Sequence, residues 1–160
     1  MNIFVLHHDP QVAAQMMCDK HVVKMILETA QMMCTVVASH GRDTPYRSTH
    51  EKHPCTIWAG QSRSNWNWLI DHGLSLCAEY TKRYGKVHKS ERIIKWCRDT
   101  NINLPCILLT PFAQAMPEQY RNECAVTAYR AYYHGEKADF ATWKTQTPDW
   151  WRSNEKSINC

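Results

Sequence analysis

Residues 16–33, MMCDKHVVKMILETAQMM, constrain this chain more than any other stretch. On a helix of 3.6 residues per turn they separate into two faces. Cys18, Val22, Met25, Ile26, Thr29, Met33 and Val36 form an apolar stripe suited to a core. Lys20, His21, Lys24, Glu28 and Gln31 gather on another side, interrupted only by Met17 and Leu27. His21, Lys24 and Glu28 stand at i, i+3 and i+7, so their heads can converge on one small volume. A base, an amine and a carboxylate on one rigid element are the parts of a proton-transfer or imine-forming site. The same residues also make an ordinary solvated helix face, with Lys24 and Glu28 an i, i+4 pair worth about 0.3 kcal/mol. On spacing alone the solvated face is the simpler account.

The flanking sequence sets that helix in an all-α frame. A short apolar run at residues 2–6 reads as a strand, and Asp9 before Pro10 reads as a helix start. A long first helix is expected from there to about Ser39, ending near Gly41. Residues 42–53 have no hydrophobic period and read as a surface loop. Pro54 opens a second helix, with Ile57, Trp58, Trp66, Leu69, Ile70, Leu74, Cys77 and Ala78 at helical spacing and Gly85 as the C-cap. A shorter helix spans about Lys89 to Thr100. NINLPCILLTPFAQAMP, with three prolines, reads as a buried connector, and a last helix starts after Pro117, turning Tyr120, Ala125, Ala128, Tyr129 and Tyr132 inward. An aromatic, basic tail closes the chain. The expectation is a single helical domain over residues 1–160, with no repeat and no internal boundary.

Composition narrows the function classes. Only five glycines occur, none clustered, which argues against a phosphate-binding P-loop or a dinucleotide fold. The eight cysteines are spread evenly without a Cys-x-x-Cys pair, so most read as reduced, buried small hydrophobes of a cytoplasmic protein. His50, His53 and Cys55 lack the second ligand pair of a structural zinc site, so no metal and no cofactor is expected. The N-terminal apolar run is too short for a signal peptide or a membrane span. Cys18 lies three residues before His21 but faces the core, which reads as a structural thiol.

The net charge of +4 permits a polyanionic partner without demanding one. The basic side chains are well spread, and several precede or follow aromatic residues, as phosphate contacts and base stacking would use. Trp150-Trp151-Arg152 fits stacking on bases, and equally fits two indoles docking on the helices.

The order of motifs resembles endonuclease V, the phage family of pyrimidine-dimer DNA glycosylases with abasic-site lyase activity. That family places a His seven residues before its catalytic Glu on a long helix, as His21 and Glu28 stand here. Its second helix opens with Ser-Pro-Thr, where this chain has His53-Pro54-Cys55-Thr56. Its Pro-x-x-Phe-Arg segment is matched by Pro117-Glu118-Gln119-Tyr120-Arg121, and its Pro-Thr-Trp tail by Pro148-Asp149-Trp150-Trp151-Arg152. The helix at 89–100 and the connector after it look like an insertion. The chain resembles small phage and bacterial proteins sharing DKHVVKM and TPFAQAMP more closely still.

The resemblance implies an endonuclease-V-like helical domain that binds bent DNA and flips a base. It implies a catalytic Glu28, with His21 and Lys24 beside it. Nucleic-acid or nucleotide contacts then fall to Lys20, Gln31, Arg47, His53, Arg63, Arg121, Trp150, Trp151 and Arg152. The family's nucleophile is the α-amine of a threonine exposed by methionine removal. Residue 2 here is Asn, before which methionine is removed poorly. Met1 or Asn2 then supplies the amine, or Lys20 or Lys24 replaces it, or the lyase chemistry is absent. A non-catalytic protein of the same fold that sequesters a nucleotide, as a phage counter-defence factor would, is the alternative, and a protein-interaction module is a third. The partner is DNA or a nucleotide, with no membrane, and no oligomeric state is assigned.

Overall fold

The computed structural model describes residues 1–153. Among these residues there are seven α-helices and one 3-10 turn, and no strand: α1 (Pro10–Met16), α2 (Asp19–Ser39), α3 (Pro54–Gln61), α4 (Arg63–Tyr84), α5 (Glu91–Asp99), the 3-10 turn Glu118–Tyr120, α6 (Ala125–Glu136) and α7 (Asp149–Arg152). The class is all-α.

α2 and α4 form the centre. α4 packs on α1, α2, α3 and α5, and α2 packs on α3, α4 and α5. The stripe from Cys18 to Val36 is buried throughout. Burial extends further than that stripe, to fourteen of the 21 residues of α2. α2 is long and apolar enough to cross a membrane, yet 67% of its most apolar window lies inside the protein. The two helices approach closely at Gly73, where a Cβ would come within 2.9 Å of Thr29 Cγ2. Gly85 ends α4 at φ +64°, in the left-handed region, with its N–H bonded to the Thr81 carbonyl.

Residues 2–6 are not a strand. The Asn2 carboxamide oxygen accepts from the N–H groups of Ile3 and Phe4, folding the chain into a local turn, and Phe4 takes φ +54°. A side chain competes with any sheet partner for these N–H groups.

The expected long first helix is two helices. Asp9 caps α1 as read, accepting from the N–H groups of Gln11 and Val12. At Met17 and Cys18 the backbone turns extended. Arg83 secures this break. Its guanidinium donates to the carbonyls of Gln15 and Met17 and to the carboxylates of Asp19 and Glu79. The second long helix also divides, at Ser62, whose hydroxyl accepts from the Asn65 N–H and caps α4 while Arg63 N–H donates to the Pro105 carbonyl.

The connector and last helix depart from expectation too. Ile102, Leu104 and Met116 are buried, but residues 105–109 are exposed. α6 begins at Ala125, not just after Pro117, because residues 121–124 are tied back to the connector. Gln114 exchanges two hydrogen bonds with the Asn122 main chain, and the Asn122 side chain accepts from Cys124 N–H. Ala125, Ala128 and Tyr129 point inward as read. Tyr120 and Tyr132 are only half-buried, and Tyr133 fills the core instead. Among the described cysteines, Cys18, Cys34, Cys55, Cys77 and Cys97 are buried free thiols and Cys106 is an exposed one, while Cys124 is disulfide-bonded.

Candidate active site at the chain N-terminus

The turn made by Asn2 brings the start of the chain onto the middle of α2. Asn2 N–H donates to Glu28 Oε2 at 3.0 Å, and the Met1 α-amine lies 3.6 Å from the same oxygen. Lys24 Nζ approaches the other oxygen, Oε1, at 3.4 Å. Glu28 is 8% exposed. A nearly buried carboxylate with one N–H donor and two amines around it has a defined orientation.

Four further residues hold the terminus in place. Asn2 Nδ2 donates to the Ala115 carbonyl at 2.7 Å, tying the turn to the connector. Thr56 Oγ1 donates to Met1 Sδ at 3.6 Å, and Cys55 N–H donates to His53 Nδ1, so the start of α3 covers the Met1 side chain. That side chain is 2% exposed, whereas Met1 as a whole is half-buried, so its open surface is main chain. His53 bonds the Met1 main chain. Its imidazole is nonetheless held below the ordinary value, first by burial and then by the N-terminal ammonium.

The other residues singled out from sequence distribute as follows. His21 does not join Glu28. Its Nδ1 shares a 2.6 Å hydrogen bond with the Tyr133 hydroxyl, its ring stacks on Phe4 at 4.2 Å, and Phe140 packs edge-on at 5.6 Å. Burial first, then Lys137 and Lys24, push its pKa down to about 3, which leaves a neutral packing ring at any ordinary pH. The i+7 spacing brings the two Cα atoms to one helix face. The aromatic partners supplied by Phe4, Tyr133 and Phe140 decide where the imidazole goes.

Lys24 does meet Glu28, although its side chain is 69% exposed. Lys20 sits with its ammonium 4.8 Å from the Phe140 ring centre. Gln31 and exposed Arg47 come together, lining with Leu27, Tyr46 and Ser48 an open cavity of about 730 Å³ beside the outer face of α2. Thr35 Oγ1 fixes the far wall by accepting from Thr49 N–H. Arg63 is half-buried and donates to the Ile102 carbonyl, so its charge serves the connector. Arg121 is exposed beside the 3-10 turn.

The tail indoles dock on the helices. Trp150 is buried, with its N–H 3.4 Å from Met16 Sδ, and Trp151 stacks on His134 at 4.5 Å. Arg152 alone of that trio lies on the surface.

Helical periodicity did not single out Met1, Asn2, Thr56, Ala115 or Arg83. Residues from both ends of the first 115 positions meet here, and no local pattern encodes that meeting. The His53-Pro54-Cys55-Thr56 helix start was the one nearby signal.

The arrangement defines a helical protein with a chain-terminal amine set against a helix-borne carboxylate. A family model for pyrimidine dimer DNA glycosylases matches residues 1–92, and the chain belongs to that family. The matched segment holds α1 to α4, the whole Glu28 neighbourhood except Ala115, and none of the connector or tail. No curated protein and no solved structure matches the chain.

Proposed function

We propose that this protein is a DNA glycosylase with abasic-site lyase activity, working through the amine at its own N-terminus with Glu28 as the proton-transfer group. The observation that carries this reading is the 3.6 Å approach of the Met1 α-amine to Glu28 Oε2. If Met1 is removed, the Asn2 nitrogen becomes the amine, already 3.0 Å from the same oxygen. Either processed form therefore keeps an amine against the carboxylate.

The chemistry follows from that pair. The neutral amine attacks C1′ of a deoxyribose, the N–C1′ bond forms and the C1′–base bond breaks, and the base leaves with the bonding electrons and takes up a proton. The nitrogen's surplus proton passes to Glu28. Glu28 passes that proton to O4′ as the C1′–O4′ bond opens and the nitrogen lone pair forms the imine, and loss of a C2′ proton then expels the 3′-phosphate. Lys24, at the mouth of the site, supplies positive charge where DNA phosphates pass. Gln31 and Arg47 line a cavity on the same helix that can receive an extrahelical nucleotide, with the amide facing a base edge and the guanidinium a phosphate. His21 supports the site from behind by fixing Phe4 and hence the turn that carries the terminus.

Borohydride reduction in the presence of abasic-site DNA tests the reading, because an imine becomes a permanent protein–DNA adduct. Wild type is expected to trap, and the adduct to map to the N-terminal peptide. Absence of any adduct overturns the lyase reading. The Gln31–Arg47 cavity favours one second reading, a nucleotide-sequestering protein. In that case a nucleotide released by heating the purified protein is the expected finding.

A further inference from the structure

The connector between α5 and α6 presents three consecutive apolar side chains to solvent: Ile107 at 53%, Leu108 at 87% and Leu109 at 42% exposure. Single exposed apolar residues are ordinary, but a run of three is a departure that calls for a partner. The shoulders of this loop are clamped. Arg63 N–H donates to the Pro105 carbonyl at 2.8 Å, and Ser64 Oγ donates to the Ile107 carbonyl at 2.7 Å. Asn65 closes two hydrogen bonds with Thr110, at 3.0 and 2.7 Å, and Trp58 Nε1 donates to the Thr110 carbonyl. A leucine almost wholly in water is thus held out on a rigid mount formed by the end of α3 and the first turn of α4.

The same segment then runs directly to the N-terminal site. Tyr129 holds Ala113 and Ala115, and the Ala115 carbonyl accepts from Asn2 Nδ2. Seven residue steps lead from Leu108 to Ala115, so the loop apex stands at most about 25 Å from the wall of the Met1–Glu28 site.

We propose that this loop is a wedge for duplex DNA, with Leu108 entering the base stack and holding open the step from which a nucleotide leaves for the N-terminal amine. The proposal rests on the glycosylase reading of that site. Shape favours DNA over a protein partner. A stable protein interface needs about 800 Å² from each side, which three side chains on a loop apex do not supply, whereas one aliphatic side chain fills an unstacked base step. Charge does not oppose it, since residues 100–117 contain neither an acidic nor a basic side chain. The loop lies outside residues 1–92, which the family model matches.

The test compares wild type with Leu108→Ala on a duplex carrying a reduced abasic site with 2-aminopurine next to it, and on the same strand alone. Borohydride trapping on single-stranded abasic DNA runs in parallel. Leu108→Ala is expected to bind the duplex roughly tenfold more weakly and to give several-fold less 2-aminopurine brightening, with single-strand binding and trapping unchanged. Leu108→Phe is expected to retain the duplex signal. Equal duplex binding and brightening by wild type and Leu108→Ala overturn the wedge while leaving the glycosylase reading intact. No trapping on either form of DNA by wild type overturns that reading, and no duplex binding by wild type overturns the wedge.

Discussion

Asn2 donates its main-chain N–H to the Glu28 carboxylate across 26 residues of sequence, and this bond fixes where the chain begins. The bond itself uses main chain, while the Asn2 side chain shapes the turn that presents it, accepting from Ile3 and Phe4 and donating to the Ala115 carbonyl. Glu28 is thereby both an anchor for the terminus and the group that faces its amine.

Glu28→Gln separates these two roles. The amide oxygen still accepts from Asn2, but it takes no proton from the amine. Borohydride-trapped adduct on abasic DNA is expected to fall about 100-fold while the fold persists. Trapping at the wild-type rate removes Glu28 from the chemistry.

Extending the chain before Met1 displaces the amine itself. The Met1 side chain is enclosed by the start of α3, so an added Gly-Ser moves the charge away from Oε2 without offering a substitute. Adduct formation is expected to vanish in the extended protein and to survive in Lys24→Ala, whose side chain lies mostly in water. The opposite pattern assigns the nucleophile to Lys24. Peptide mapping of the adduct distinguishes them.

Arg83 ties three segments together with a side chain that is wholly buried. Arg83→Met leaves Asp19 and Glu79 without their shared cation and frees the Gln15 and Met17 carbonyls. A loss of about 3–5 kcal/mol in urea unfolding is expected. Loss of less than about 1 kcal/mol would show that water takes over the network.

Two buried histidines make the protein acid-sensitive. Burial pushes His72 down to about 3, and His21 sits at about the same value. Both folded values lie below the ordinary 6.5, so the unfolded chain binds protons that the folded one refuses. Stability is full above pH 6.5 and falls as the pH drops from 6.5 towards 3. At pH 5 the expected loss is about 2 kcal/mol for each ring. His72 stacks on Trp68 at 4.9 Å, so His72→Phe keeps the packing and removes one titration. Urea midpoints at pH 7 and pH 5 are expected to differ less in this variant. An unchanged pH dependence removes His72 as a cause.

The helical elements were legible because their signals are local. The apolar stripe from Cys18 to Val36, the Asp9-Pro10 and Pro54 helix starts and the Gly85 terminus all lie within one or two turns of what they control. The break at Met17 was not legible, because its stabilising partner Arg83 comes from a remote position, and at Ser62 the local cap on Asn65 N–H was masked by the helical spacing of the apolar residues on either side. The strand read at residues 2–6 failed on a side chain, Asn2, that outcompetes sheet pairing.

For the site, the sequence by itself determined that a carboxylate and a lysine share a face of the central helix. Periodicity dictates which Cβ vectors leave a helix together. It does not dictate what a side chain meets there. His21, seven residues from Glu28, is drawn into a box of Phe4, Tyr133 and Phe140, whereas the chain terminus, remote from Glu28 in sequence, takes the place beside the carboxylate. Only tertiary closure decides such meetings, because the free energy of burying an aromatic box or seating a chain terminus exists only once segments from distant positions are packed together.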